Sequence, residues 1–181
     1  ITGSTAAAQF GTTLATGDLN SNARTDLVVG AADYSSGRGR VYLFHNDGAY
    51  SSLSNSADVI ITGEATSDLF GISIVIGDMD NDSDDDLVVG ASGFGSEQGR
   101  VYVFYNDGAL PTTAAAADRI ISGLPTGADA SFNQPRGVDF DSNNNAFIVD
   151  RLNHLIRKIT PAGIVTTFAG TAGSPGGSAN S

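Results

Sequence analysis

Cysteine is absent from this chain of 181 residues, which excludes disulfide bonds and thiolate-bound metal ions. The sequence also lacks a run of 18 apolar residues, so we expect no membrane-spanning helix and no insertion into a bilayer. It has no initiating Met and no basic, apolar leader, which predicts an N-terminus that was processed or cut from a longer protein. What is present is an apolar fraction of 40%, which suffices for a sizeable globular core.

Basic residues are scarce, and the formal net charge is −11. Residues 1–120 hold 16 acids and five Arg, whereas residues 121–181 hold four residues of each sign. An acidic surface repels phosphate backbones, so we expect no nucleic acid partner for the first part of the chain. Half of the 16 acids lie in two short loops, which indicates that the charge is concentrated for a purpose.

Two stretches of the chain superimpose at a constant offset of 60 residues without a gap. The longest recurrence is Asp26-Leu27-Val28-Val29-Gly30-Ala31, which returns at residues 86–91. The other recurring segments are Ile1-Thr2-Gly3 (again at 61–63), Phe10-Gly11 (70–71), Gly39-Arg40-Val41-Tyr42 (99–102) and Asn46-Asp47-Gly48-Ala49 (106–109). A fixed period of this length indicates a repeat architecture, with repeats at residues 1–60 and 61–120.

Each repeat consists of short β-branched and aromatic runs separated by Gly, Asn, Asp and Ser. In the second repeat the predicted strands cover residues 72–76, 87–90, 100–105 and 119–122. Four short antiparallel strands per repeat are typical of a β-propeller blade, so the fold class is predicted to be all-β. Residues 121–170 continue as a third blade-sized unit with three clear strands, at 146–150, 155–159 and 164–168. The Gly/Ser-rich residues 171–181 are expected to form a flexible tail or a connector.

About three blades do not close a propeller, because known rings use about four to eight. As a single chain the protein is therefore expected to form an incomplete ring. Either it is a segment of a longer chain, or copies assemble to complete the ring or to build a filament. A homodimer is the simplest symmetric way to close it.

Each of the first two repeats carries a loop in which oxygen-bearing residues alternate along the chain. The second loop, residues 78–86, offers Asp78, Asp80, Asp82, Asp84 and Asp86. The first loop, residues 18–26, offers Asp18, Asn20, Asn22, Arg24 (through its backbone carbonyl only) and Asp26. Alternate residues of a tight loop point to one side, so about six hard oxygens converge as Ca²⁺ requires, whereas Mg²⁺ prefers fewer protein ligands. The sequence therefore predicts two calcium sites.

The alternative interpretation of both loops is an Asp- and Asn-rich hairpin turn without a metal ion. Carboxylates at this spacing in the second loop would repel one another without a cation, which favours the metal site. The loops are not EF-hands, because Val29 or Val89 stands where the EF-hand has its last Glu. Ala23 or Ser83 stands where such loops commonly have Gly, at a cost of about 1 kcal/mol if the backbone there is left-handed.

These motifs resemble the FG-GAP repeats of integrin α-type β-propellers over residues 1–120. Phe10-Gly11 and Phe70-Gly71 match the FG element, and Gly30-Ala31-Ala32 and Gly90-Ala91-Ser92 match the GAP element with its Pro replaced. The two loops match the calcium motif of the family apart from the Gly. The resemblance implies a secreted or cell-surface propeller whose Ca²⁺ ions are structural. Phe10 and Phe70 are expected to pack between blades.

The third unit is similar to another propeller family, the NHL repeat, over about residues 124–172. The matching segments are Phe132 to Val138, Asp150 to Lys158 and Thr167 to Gly170, with Asn153-His154-Leu155 spelling the name of the family. No metal is expected at its Asp139 to Asn143 turn. Its cationic residues, Arg136, Arg151, Arg157 and Lys158, are matched by four Asp and are expected to be solvated.

The leading functional hypothesis is a non-enzymatic, extracellular, calcium-binding scaffold for adhesion or for binding a protein or glycan. A second is a structural subunit that self-assembles into an extracellular fibre or surface layer. A third is part of an NHL-type lyase or hydrolase with a metal in its central channel. That activity needs His and carboxylate side chains that converge from several blades, and neither His45 nor His154 has such a set near it in sequence.

Overall fold

The computed structural model describes residues 1–3, 9–50, 53–122, 132, 134–162 and 164–172. Most of the predicted tail at residues 171–181 and the start of the predicted third unit, residues 123–131, lie outside the described residues. Within the described ranges the regular structure consists of three four-stranded antiparallel sheets. The all-β prediction is confirmed, as is the division into propeller blades of four strands.

Each sheet is a meander in which consecutive strands are hydrogen-bonded neighbours. The first sheet contains β1 (Thr13–Gly17), β2 (Asp26–Ala31), β3 (Arg40–Phe44) and β4 (Val59–Thr62). The second contains β5 (Phe70–Gly77), β6 (Asp86–Ala91), β7 (Arg100–Phe104) and β8 (Arg119–Ser122). The third contains β9 (Pro135–Phe140), β10 (Ala146–Asp150), β11 (Leu155–Ile159) and β12 (Val165–Gly170). The sheets are not closed into a ring.

Helical structure in the described part of the chain is limited to single turns. They are α1 (Tyr34–Gly37), α2 (Phe94–Glu97) and three 3-10 turns at Ser54–Ser56, Ala114–Ala116 and Arg151–Asn153. None of these turns has the length or the apolar character that a membrane span requires.

The 60-residue offset is preserved in three dimensions. Leu27 pairs with Phe44 across β2 and β3, and Leu87 pairs with Phe104 across β6 and β7. The strand β4 runs across the predicted boundary between residues 60 and 61 and ends at Thr62, whose amide donates to the carbonyl of Thr112. Each repeat therefore folds into the same hairpin series.

The first two sheets pack face to face around an apolar core. Phe70 is fully buried there and makes edge-to-face contacts with Tyr102 at 5.3 Å and with Phe104 at 6.4 Å between ring centroids. Such aromatic pairs add about 0.5–1.5 kcal/mol to the free energy gained by burying the rings. The prediction that Phe70 packs between blades is confirmed.

Phe10, the counterpart of Phe70, lies on the other face of the first sheet. It is only half-buried and contacts Tyr42 and Phe44 within a separate cluster. In the described part of the chain this cluster holds no residue of the second or third sheet, so the inter-blade role of Phe10 stays a prediction. The two residues differ because only Phe70 has a preceding sheet of this chain to pack against.

The second and third sheets share another core, which includes Val88, Ile148 and Ile159. Neighbouring residues of one strand serve different cores, since Val89 faces the first sheet and Val88 the third. This alternation follows from the two-residue period of a strand. It explains why β6 is apolar from Leu87 to its end at Ala91.

One cation of the third sheet is placed differently from the prediction. Arg157 was expected to be solvated, but it is only 1% exposed. Its Nη1 donates a hydrogen bond to Thr167 Oγ1 at 2.5 Å, and its Nε lies 4.0 Å from Asp150 Oδ2. Burial of a guanidinium requires a paired carboxylate and hydrogen bonds, which the interior of this sheet provides. The charge is therefore structural rather than part of a basic surface.

Candidate metal centre

Both acidic loops connect the first two strands of their sheet. The first loop follows β1 and ends where β2 begins, and the second loop lies in the same way between β5 and β6. The last residue of one strand pairs with the first residue of the next, Gly17 with Asp26 and Gly77 with Asp86. The antiparallel pairing thus closes each loop and forces its side chains into a small volume.

The second loop brings three of its predicted ligands together. Asp78, Asp80 and Asp82 each present a carboxylate oxygen, and these oxygens lie within 4.8 Å of one another. Coulomb repulsion among exposed carboxylates at this distance opposes the arrangement unless a cation is bound. The hard-oxygen donor set therefore fits Ca²⁺.

The backbone of the second loop is folded around these carboxylates. Asp78 accepts hydrogen bonds from the amides of Asn81 at 2.6 Å and Ser83 at 3.1 Å. The amides of Asp82 and Asp84 donate to the carboxylates of Asp80 and Asp82, respectively. Each hydrogen bond fixes the direction of a ligand, so the loop is preorganised.

The remaining two predicted ligands of the second loop lie outside the group of three. Asp84 accepts a hydrogen bond from the hydroxyl of Ser21 in the first loop. Asp86 is 1% exposed and accepts from the amides of Met79 at 2.6 Å and Asn106 at 2.9 Å. Asp86 therefore ties the start of the loop to the hairpin that follows β7.

Electrostatics in the second loop favour a bound cation. The pKa of Asp86 is raised to about 6, mainly because the carboxyl group is buried and to a smaller extent because of the nearby carboxylates of Asp80 and Asp82. Desolvation raises the pKa of Asp80 as well, with additional contributions from Asp82 and Asp107. A cation bound among these groups would stabilise their ionised forms.

The first loop repeats the same hydrogen-bond pattern with fewer charges. Asp18 accepts from the amides of Asn22 at 3.1 Å and Ala23 at 2.7 Å, and Asn22 accepts from the amide of Arg24. Asp26 is fully buried and accepts from the amides of Leu19 and Asn46. Asn20 and Arg24 are exposed.

Several residues that lie near the loops were not predicted from the sequence. Asp47 Oδ1 lies 3.3 Å from Asn22 Nδ2, so the hairpin after β3 reaches the first loop. Asp107, its counterpart, is close enough to the second loop to raise the pKa of Asp80. His45 Nδ1 lies 3.2 Å from Asp26 Oδ2. The recurrence of Asn-Asp-Gly-Ala at the 60-residue offset is the signal in the sequence that points to these two Asp residues.

The acidic turn of the third sheet uses its carboxylate internally. Asp141 accepts hydrogen bonds from the amides of Asn143 and Asn145 and from the side-chain amide of Asn145. The hydrogen bond from the Asn145 amide is the main reason that the pKa of Asp141 is lowered. This turn therefore provides a reference for a carboxylate that is stabilised by hydrogen bonds from backbone and side-chain amides.

Left-handed backbone occurs at the loop position that commonly holds Gly. Ala23 has φ 61° and Ser83 has φ 81°. We expect Ser83→Gly to raise the free energy of unfolding by roughly 0.5 kcal/mol, because relief of left-handed strain outweighs the extra entropy of an unfolded Gly. Urea unfolding in saturating calcium measures this change. Thr25→Gly, at an exposed loop position without positive φ, is the matched control and is expected to destabilise.

Comparison with known proteins identifies the class to which these blades belong. Residues 10–44 and 70–104 match the FG-GAP repeat, so the chain carries two FG-GAP repeats. Each matched range begins at the Phe-Gly pair, includes one acidic loop and ends with the third strand of its sheet. The resemblance that the motifs indicated is confirmed for these ranges.

The individual relatives are much longer than this chain. Integrin alpha-IIb of Mus musculus is 34% identical over 149 residues, which is 76% of this chain and 14% of the relative. Integrin alpha-3 of Cricetulus griseus is 33% identical over 151 residues, or 78% of this chain and 14% of the relative. Phosphatidylinositol-glycan-specific phospholipase D of Rattus norvegicus is 39% identical over 111 residues, or 54% of this chain and 13% of the relative. The chain thus spans about one seventh of the length of the curated relatives it matches.

Proposed function

We propose that this chain is a calcium-stabilised, non-enzymatic propeller segment that serves outside the cell as a scaffold for adhesion or ligand binding. The observation that carries the proposal is the convergence of Asp78, Asp80 and Asp82 at the end of a hairpin inside an FG-GAP repeat. One Ca²⁺ is held by the second loop and one by the first loop. Both ions are structural, since their ligands also close the hairpins.

The predicted ligands have distinct roles in this proposal. In the second loop, Asp78, Asp80 and Asp82 form the grouped carboxylates, while Asp84 and Asp86 complete the set. In the first loop the ligands are Asp18, Asn20, Asn22, Asp26 and the carbonyl of Arg24. The blades comprise residues 1–60 and 61–120, and the third blade comprises residues 121–170 with a connector at 171–181.

The third blade is proposed to be of the NHL type. A buried polar group supports this assignment, because Asp150 is fully buried and accepts a hydrogen bond from Asn153 Nδ2 at 2.8 Å, with Arg157 beside it. These are three of the residues on which the NHL resemblance rests. The group would replace the calcium loop as the polar element that holds this blade together.

The partner of the scaffold is proposed to be a protein or a glycan, or further copies of the chain that complete a propeller or extend a fibre. The similarity to integrin alpha chains favours the protein ligand. The similarity to a phospholipase D covers only 13% of that enzyme, which agrees with a scaffold region that accompanies other parts. An extracellular location agrees with the structural use of Ca²⁺.

Calorimetric titration of the full chain with calcium tests the proposal. We expect two bound ions per chain and one ion in the variant Asp80→Ala/Asp82→Ala, because Ala removes two ligand side chains from the second loop. Asp141→Asn, in the turn of the third sheet, is the matched control and should leave two ions. A chain that binds no calcium at millimolar concentration would show that the loops are metal-free turns.

A further inference from the structure

The first and second loops are in direct contact across the boundary between their sheets. Asp85 Oδ2 accepts the amide hydrogen of Asp18 at 2.9 Å, and Ser21 Oγ donates to Asp84 Oδ1 at 2.6 Å. The buried side chain of Asn106 adds a third link by donating from Nδ2 to the carbonyl of Leu19 at 3.0 Å. Two hydrogen bonds therefore join the two loops, and a third joins the hairpin after β7 to the first loop.

The backbone at this contact is shaped for close approach. A Cβ atom at Gly17 would lie 2.8 Å from Asp85 Oδ2 and 2.3 Å from Ile76 Cγ2. Only Gly leaves room at this point for the carboxylate to reach the amide of the next residue, Asp18. The end of β1 is thus fitted to the side chain of Asp85.

Asp85 is also one of the positions at which the two loops differ. Its counterpart in the first loop is Thr25, which is exposed and carries no charge. The calcium motif does not use this position, so the motif does not explain why the second loop carries an additional Asp there. The hydrogen bond to Asp18 does explain it.

We propose that Asp85 is a positioning residue that couples the two cation sites. This inference rests on the proposed calcium function of both loops. Asp85 lies between two ligands of the second loop, Asp84 and Asp86, and it holds the backbone of Asp18, the first ligand of the first loop. Ordering the second loop therefore orders the residue that positions the first loop.

The coupling between the two cation sites is reciprocal. If an ion in the second loop strengthens binding to the first, an ion in the first must strengthen binding to the second by the same factor. Coupling free energies between sites commonly correspond to factors of about 5 to 150, and a single carboxylate–amide hydrogen bond accounts for the lower end. We expect a factor of about five here.

A calorimetric cycle on the full chain, with calcium as the probe, tests this coupling. The dissociation constant of the first loop is measured in the parent and in Asp80→Ala/Asp82→Ala, with and without Asp85→Ala. We expect the first loop to bind about five-fold more weakly once the second loop is disabled, and no such change in the Asp85→Ala background. Asp85→Asn retains an acceptor for the Asp18 amide and should restore the coupling.

Two further measurements keep the test decisive if Asp85→Ala folds poorly. Ser21→Ala removes the second link at an exposed position and should reduce the coupling factor, whereas Thr25→Ala should leave it unchanged. Hydrogen exchange of the Asp18 amide should become faster in Asp85→Ala but not in Asp85→Asn.

The outcomes separate the inference from the proposed function. Two ions with the same first-loop affinity in the presence and absence of the second site would overturn the coupling and leave the calcium function intact. Equal behaviour of Asp85→Asn and Asp85→Ala would also overturn it, since charge rather than the hydrogen bond would then be responsible. A parent chain that binds no calcium would overturn both.

Discussion

Chelation of calcium is expected to lower the melting temperature of the chain by roughly 10 °C or more. Each ion that binds only the folded state adds about 2.7 kcal/mol of stability when calcium is present at a hundred-fold excess over the dissociation constant. Two sites therefore contribute about 5 kcal/mol, and each kcal/mol corresponds to about 2–4 °C for a chain of this size. Thermal unfolding followed by circular dichroism, with calcium or with chelator, measures the difference.

The loop variants supply the controls for this experiment. Asp80→Ala/Asp82→Ala should lose about half of the calcium-dependent shift, because the first loop still binds its ion. Asp141→Asn should keep the whole shift. An unchanged melting temperature after chelation of the parent would contradict the structural role of the ions.

Phe70→Ala is expected to lower the free energy of unfolding by about 3–5 kcal/mol, as is usual for removal of a buried Phe. The Phe70 ring is fully buried between the first and second sheets and contacts Tyr102 and Phe104. Its removal opens a cavity in the core that joins two repeats. Urea unfolding in saturating calcium measures the loss.

Phe10→Ala is the matched variant, because Phe10 stands at the same position of the first repeat. The Phe10 ring is half-buried and lies on the outer face of the first sheet, so we expect about half of the loss that Phe70→Ala causes. The comparison isolates the contribution of packing between sheets. Equal losses for the two variants would show that Phe70 stabilises its own sheet rather than the contact between sheets.

The blades could be predicted from the sequence because their signals are local. The strand at residues 87–90 and its extension to β6 (Asp86–Ala91) follow from a β-branched run between an acidic loop and a Gly-containing turn. The copy at β2 repeats the same letters. Short-range pairing within a meander then determines which strands are neighbours, so the sheets follow from their strands.

The candidate site was only partly accessible to sequence reasoning. The alternation of Asp78, Asp80 and Asp82 predicted their convergence, because alternate residues of a tight loop share one side. The burial of Asp86 beneath the amides of Met79 and Asn106 was not predictable, since Asn106 comes from another hairpin. The same limit applies to Asp47 and Asp107, whose approach to the loops depends on the path of the chain after the third strand.

The sequence by itself determined the repeat, the four-strand blade and the oxygen-bearing side chains that each loop offers. These features follow from spacing and from the chemistry of individual side chains. Only the tertiary structure decided which copy of a repeated residue became core and which loop residue reached a neighbour. Phe70 is buried where Phe10 is not, and Asp85 contacts Asp18 where Thr25 is exposed. The physical reason is that identical repeats acquire different surroundings once they stack, since each sheet meets a different neighbour on each face.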